Sequence, residues 1–214
     1  MFHELGDLRE EQQRVAARPP EDGAPPVLSV FDVVLHQDVD PTAYMERVRA
    51  VVSAALKLAV SATFDDEDLP VEAIPAWFVA VSRTPDEPGE PGEPGEPDAD
   101  LTEFARRGKA RYQEEFGNRP WDIQWWLWQF DPDSETRGWA WWDATQSGDR
   151  RVRVWADSWG EDFYACDEVR WLLHTAGAET VSGPVLAHPS EWVTTSSPAP
   201  GPPEAWPGRG RRRS

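Results

Sequence analysis

Cysteine is almost missing from this 214-residue chain. Cys166 stands alone, which excludes an intramolecular disulfide and a Cys-rich zinc site. Lysine is nearly as scarce, with two against nineteen arginines, and Asn118 is the sole asparagine; with abundant Ala, Gly and Pro, this bias points to a GC-rich bacterial genome. No apolar run approaches the roughly 18 residues that a membrane helix needs. The opening MFHELGDLREEQQRV is acidic and has no apolar h-region, so no signal peptide is expected. The resulting expectation is a cytoplasmic protein without a membrane partner. Also missing are G-x-S-x-G, the P-loop, G-x-G-x-x-G and H-E-x-x-H.

A general basic surface is lacking too. The formal charge is −18, and neutralising a phosphate backbone requires clustered Lys and Arg. Nucleic acid is therefore an unfavoured partner, and a basic protein fits the balance better. Only the end of the chain, with Arg209, Arg211, Arg212 and Arg213, is basic.

Proline concentrates in three stretches, 19–26, 85–97 and 198–207. They divide the chain into a flexible arm over 1–26, one composite domain over 27–192 and a disordered tail over 193–214 with a basic end. Within the domain, 85–100 contains EPGEPGEPGEP, a Pro/Gly/Glu repeat that cannot build a core and is expected as a disordered linker.

Val27–Leu35, VLSVFDVVL, reads as a strand buried on both faces and hence interior to a sheet. Asp40 and Pro41 open a helix in which Tyr44, Val48, Val51, Val52, Ala55 and Ala59 recur at helical spacing. Ile74–Ser82 fits a short helix or a strand. Asp100 and Glu103 form a capping-box pattern ahead of a third helix that stops at Gly117 and Pro120. Three strands at hairpin spacing follow, over 122–130, 138–145 and 151–158. A helix from Asp162 or Cys166 to Ala176 and a short strand over 180–186 complete the order. The expected class is α+β: an antiparallel, Trp-rich β-meander of three to five strands packed by helices.

Nine of the thirteen tryptophans lie between Trp121 and Trp159. On strands, Ile123, Trp125 and Leu127 would oppose Trp126, Trp128 and Phe130, and Trp139, Trp141 and Asp143 would oppose Ala140, Trp142 and Ala144. In the third strand Val152, Val154 and Ala156 form an apolar row, opposite Arg151, Arg153, Trp155 and Asp157. A second sheet face bearing Trp and Arg is either a binding surface, since both types are enriched at hot spots, or a ladder of cross-strand pairs stabilising a solvated sheet. The residues assigned to partner binding are Trp126, Trp128, Trp141, Arg151, Arg153, Trp155, Asp157 and Trp159. In outline, a small acidic α+β protein of this kind resembles bacterial immunity and secretion-chaperone proteins, a likeness of class without a shared motif.

Catalytic chemistry has weaker support. Cys166 is expected at a helix start, but His174 lies about 12 Å further along the axis, so the two make no pair. His36, Asp38 and Asp40 form H-x-D-x-D, a spacing compatible with a metal, yet Asp40 already serves as a helix cap. No catalytic residue, metal or cofactor is assigned. The favoured function is a non-catalytic, acidic protein–protein interaction module, with a homodimer as a plainer option. The alternative is a small-molecule-binding protein or hydrolase with an aromatic pocket, lined from Trp125, Trp141, Trp155 and Trp159, and a carboxylate pair drawn from Asp143, Asp157, Glu161 and Asp162.

Overall fold

The computed structural model describes residues 4–65, 68–83, 101–117, 120–134 and 136–196. In chain order the elements are α1 (Leu5–Ala16), β1 (Leu28–Leu35), α2 (Pro41–Ser61), α3 (Ala76–Val81), α4 (Glu103–Phe116), α5 (Ile123–Trp128), β2 (Ala140–Gly148), β3 (Arg151–Asp157), α6 (Asp167–Thr175), β4 (Ala178–Ala187) and α7 (Pro189–Ser196). The four strands form one antiparallel sheet in the order β2-β3-β1-β4, and the class is α+β. No described helix is long and apolar enough to cross a membrane. The Glu-Pro-Gly repeat, the Asp100 half of the capping box and the basic tail from 197 onward lie outside the described residues.

As expected, β1 is interior. It sends Phe31 and Val33 into the main core and Leu28 and Val30 into a second, smaller one. Val152, Val154 and Ala156 of β3 meet the main core, and Trp155 meets the second. In β2 the expected alternation holds for Trp141 and Trp142 and fails beyond them. A register shift between Trp141 and Asp143 leaves Trp141 and Ala144 in the main core, while Trp142 turns to the second; one extra residue in a strand re-aims the side chains beyond it.

Residues 122–130, expected as the first strand of the meander, are a helical turn instead. Asp122 accepts hydrogen bonds from the N–H groups of Gln124 and Trp125 and so caps α5. Ile123, Trp126, Leu127 and Phe130 are buried, the i, i+3, i+4, i+7 spacing of one helix face. Trp125, by contrast, is 71% exposed.

The arm expected over 1–26 is corrected across 5–16, where α1 packs against α2 and β2. Leu8, Glu11 and Val15 are buried along it. Glu11 meets Arg137 through two 2.8 Å hydrogen bonds and also accepts from the Trp141 N–H at 2.6 Å. Arg14 Nε donates to the Trp141 carbonyl, and Arg49 of α2 donates to the Ala144 carbonyl. Side chains of α1 and α2 thereby satisfy backbone groups of the edge strand β2, as a neighbouring strand would.

The tail expected from 193 is likewise corrected for 193–196, which belong to α7. Trp192 of this helix is fully buried. It packs edge-on against Trp142 with ring centroids 5.5 Å apart, and its Nε1 donates to Asp143 at 2.9 Å. Helix α7 closes the end of the second sheet face that carries Trp155.

Candidate partner-binding surface

The eight residues singled out in the sequence separate by burial. Trp126, Trp141 and Trp155 are enclosed: Trp126 Nε1 donates to the Glu168 carbonyl at 3.0 Å, and Trp155 Nε1 donates to Thr145 Oγ1 at 2.9 Å. Trp128 is half-buried against Phe64. On β3, Arg153 pairs with Asp32 of the neighbouring strand at 3.0 Å and lies 5.9 Å from the Trp155 ring; Arg151 is exposed. Arg151, Arg153, Trp155 and Asp157 do share one side of the strand. Its indole end is covered by α7, however, and its arginine end forms the cross-strand pair that a solvated sheet would carry.

Asp157 and Trp159 lead away from the sheet into a different arrangement. The Trp159 N–H donates to Asp157 Oδ1 at 2.8 Å, and the Glu161 N–H donates to the Ser158 carbonyl at 2.9 Å. Trp159 has φ +53° and Gly160 φ +82°, the pair of positive values that marks a type I′ turn. Glycine adopts this region freely. For a side-chain-bearing residue it costs on the order of 1–2 kcal/mol, and a bulky one there is an outlier.

The strain is held in place from beneath. Ser158 is buried, and its hydroxyl donates to the Glu161 carbonyl at 2.9 Å. That uses its single hydrogen, so Ser29 donates in the 2.7 Å contact between the two hydroxyls. Downstream, Tyr164 packs over Gly138, where a Cβ would lie 2.9 Å from the Tyr164 Cβ. Between these anchors Phe163 is 93% exposed and Trp159 38% exposed. Glu161 and Asp162 are also exposed, and Asp157 is half-buried; burial raises the Asp157 pKa, opposed by its hydrogen bond from the Trp159 N–H.

Two further exposed apolar residues lie at the end of β4. Ser29 pairs across the sheet with both Ala156 and Leu186, so the turn and the end of β4 occupy the same end of the sheet. Val185 is 62% and Leu186 37% exposed. Sequence reasoning selected Asp157 and Trp159 but missed Phe163, because an aromatic beside Tyr164 reads equally well as core.

The catalytic candidates do not assemble. Asp38 turns to Arg107 at 2.6 Å, and Asp40 caps α2 by accepting from the Ala43 N–H at 2.9 Å. Among the described residues no group of three or more His, Cys, Asp or Glu gathers. Cys166 is buried, and desolvation pushes its thiol up to about 11, which leaves it protonated near neutral pH. Asp143 is buried and bonded to Arg49, the Ala144 N–H and Trp192, unlike the solvent-facing Glu161 and Asp162. Comparison with known proteins finds no matching family model, no similar curated protein and no similar solved structure.

Proposed function

We propose that the chain is a non-catalytic, acidic protein-binding module that docks through the Ser158–Phe163 turn. The carrying observation is Trp159, an indole kept at φ +53° on the surface while its neighbour Phe163 is almost fully exposed between Asp162 and Tyr164. Backbone strain of this kind persists where surrounding contacts over-determine it, and it recurs at binding sites. Exposed aromatics supply hot-spot contact area, and preorganising them reduces the ordering cost of association.

The partner is basic on this reading. Glu161 and Asp162 flank the aromatics, and the whole chain carries −18, so encounter is steered by long-range attraction. The contact surface thus moves from the Trp/Arg sheet face to the turn at its end. An immunity- or chaperone-like role in a bacterial cytoplasm fits this chemistry.

The test is parallel capture from a lysate of the source organism on immobilised wild type and on a Trp159→Ala/Phe163→Ala variant, with elution by rising salt. A basic protein retained by wild type, released by salt and lost from the variant is expected. Identical retention on both surfaces, or retention insensitive to salt, overturns the reading. Light scattering that shows a wild-type dimer split by the double substitution would replace the basic partner with a second copy of the chain.

A further inference from the structure

A second surface feature, remote in sequence from the turn, has different chemistry. Helix α5, with Ser134 and Thr136, borders an open cleft of about 370 Å³, lined by these two residues and Gln124, Trp125, Trp128 and Gln129. This volume falls within the roughly 300–1,000 Å³ usual for small-ligand sites. Trp125 leaves 71% of its surface in solvent at the cleft, although three of the four other large apolar residues of its helix, Ile123, Trp126 and Leu127, are buried. The second indole, Trp128, is backed by Phe64 at 5.7 Å in an edge-on contact.

The polar lining is neutral among the described residues. Gln124 is locked in place: its Oε1 accepts from the Leu69 N–H at 2.8 Å, and its Nε2 donates to the Leu69 carbonyl at 3.1 Å. Gln129 uses one N–H on the Trp125 carbonyl, which leaves its second N–H and its carbonyl oxygen for a ligand. Ser134 and Thr136 share one hydrogen bond of 2.9 Å, so one of their two hydroxyl hydrogens remains to be donated. Two aromatic surfaces, an amide and a hydroxyl pair therefore border one concavity.

We infer that this cleft is a binding site for a neutral saccharide. A pyranose ring has an apolar C–H face that lies flat on an indole and a rim of hydroxyls that both donate and accept. Those are the two needs that Trp125 and the Gln129, Ser134 and Thr136 groups meet. A charged ligand would lose hydration without gaining a counter-charge from the described lining residues, and an anion would also face the field of a chain with charge −18.

The experiment is titration calorimetry of the full chain with maltotriose, cellotriose and chitotriose at millimolar concentration. Galacturonic acid trimer serves as the charged comparison, and a synthetic peptide of residues 85–97 provides a proline-bearing ring that could also stack on indole. Each is run on wild type, Trp125→Ala and Trp159→Ala. The expected result is saturable binding of at least one neutral trisaccharide, weaker binding of the charged trimer, at least about tenfold loss of affinity in Trp125→Ala and none in Trp159→Ala. Because Trp125 is exposed, an unchanged unfolding midpoint identifies the loss as local. No heat from any neutral trisaccharide, equal affinity in Trp125→Ala, or binding of the peptide alone overturns the inference. Loss confined to Trp159→Ala would also overturn it, by placing the ligand at the docking turn.

Discussion

Glu11 faces Arg137 head-on, each carboxylate oxygen 2.8 Å from a different guanidinium nitrogen, with both side chains removed from solvent. Phe130 and Trp139 lie against the guanidinium, with ring centroids 4.6 and 5.2 Å from Cζ. The pair ties α1 to the loop before β2, across 126 positions of sequence. Removing one partner leaves the other charge buried. Glu11→Ala or Arg137→Ala is therefore expected to cost about 3–5 kcal/mol, with a corresponding fall in the urea midpoint. A cost below about 1 kcal/mol would mean that α1 is attached loosely after all.

Helix α7 supplies the second test. Trp192 fills the small core beside Trp142 and Trp155 and donates to Asp143. Trp192→Ala is expected to lose about 3–5 kcal/mol and to open the Trp155 end of the sheet, measured as faster backbone hydrogen exchange in Leu28–Val30 and Trp155–Asp157. Unchanged exchange there would show that α7 does not close this face.

Helices α4 and α6 meet at a glycine. A Cβ on Gly108 would stand 1.9 Å from the His174 carbonyl oxygen, and backbone cannot swing aside as a flexible side chain can. Gly108→Ala should destabilise by about 3 kcal/mol, near the upper end for overpacking, although alanine is ordinarily the better helix former. Chemical denaturation decides it, and a neutral or stabilising outcome contradicts this packing.

These contacts indicate what was legible in the chain and what was not. Asp40, Pro41 and the spacing from Tyr44 to Ala59 announce α2 because a helix cap and an amphipathic period are local signals. The alternation in Val152–Ala156 announces β3 in the same way. Residues 122–130 mislead because the run from Trp125 to Trp128 is apolar at every position, which hides the period; the Asp122 cap and the Ile123, Trp126, Leu127, Phe130 spacing were the available cues. The packing of α1 depends on Glu11, whose partner lies far along the chain and leaves no local mark. In the turn, Gly160 is a recognisable bend residue, but nothing in SWGE marks Trp159 as its left-handed partner.

Two buried groups shape the pH dependence in opposite directions. Burial pushes Glu168 up to about 7, against hydrogen bonding to Trp139 and the charge of Arg137. Desolvation, aided by Arg170 and Arg111, pushes His174 down to about 4. The folded state binds the Glu168 proton more tightly than the unfolded chain does, so this group lowers stability as pH rises from about 4.5 to about 7. The folded state binds the His174 proton less tightly, so that group lowers stability as pH falls from about 6.5 toward 4. Glu168→Gln isolates the first effect. Its stability relative to wild type should climb by about 3 kcal/mol across that interval and then level off. Urea unfolding of both proteins across this range measures it, and a constant difference contradicts the assignment.

Among the described residues the tryptophan-rich region is mostly closed core, and the exposed aromatics are few: Trp125, Trp159 and Phe163. Hydroxyl-radical footprinting, read residue by residue with and without the captured partner, measures this exposure. Among the described aromatics of the free chain, Trp125 and Phe163 should react first and then Trp159, with Trp126, Trp139, Trp141, Trp155, Trp171 and Trp192 protected. The partner should shield Trp159 and Phe163 while Trp125 stays reactive. Trp155 or Trp192 reacting as fast as Trp125, or a partner that shields Arg153 and leaves Phe163 open, would contradict the account.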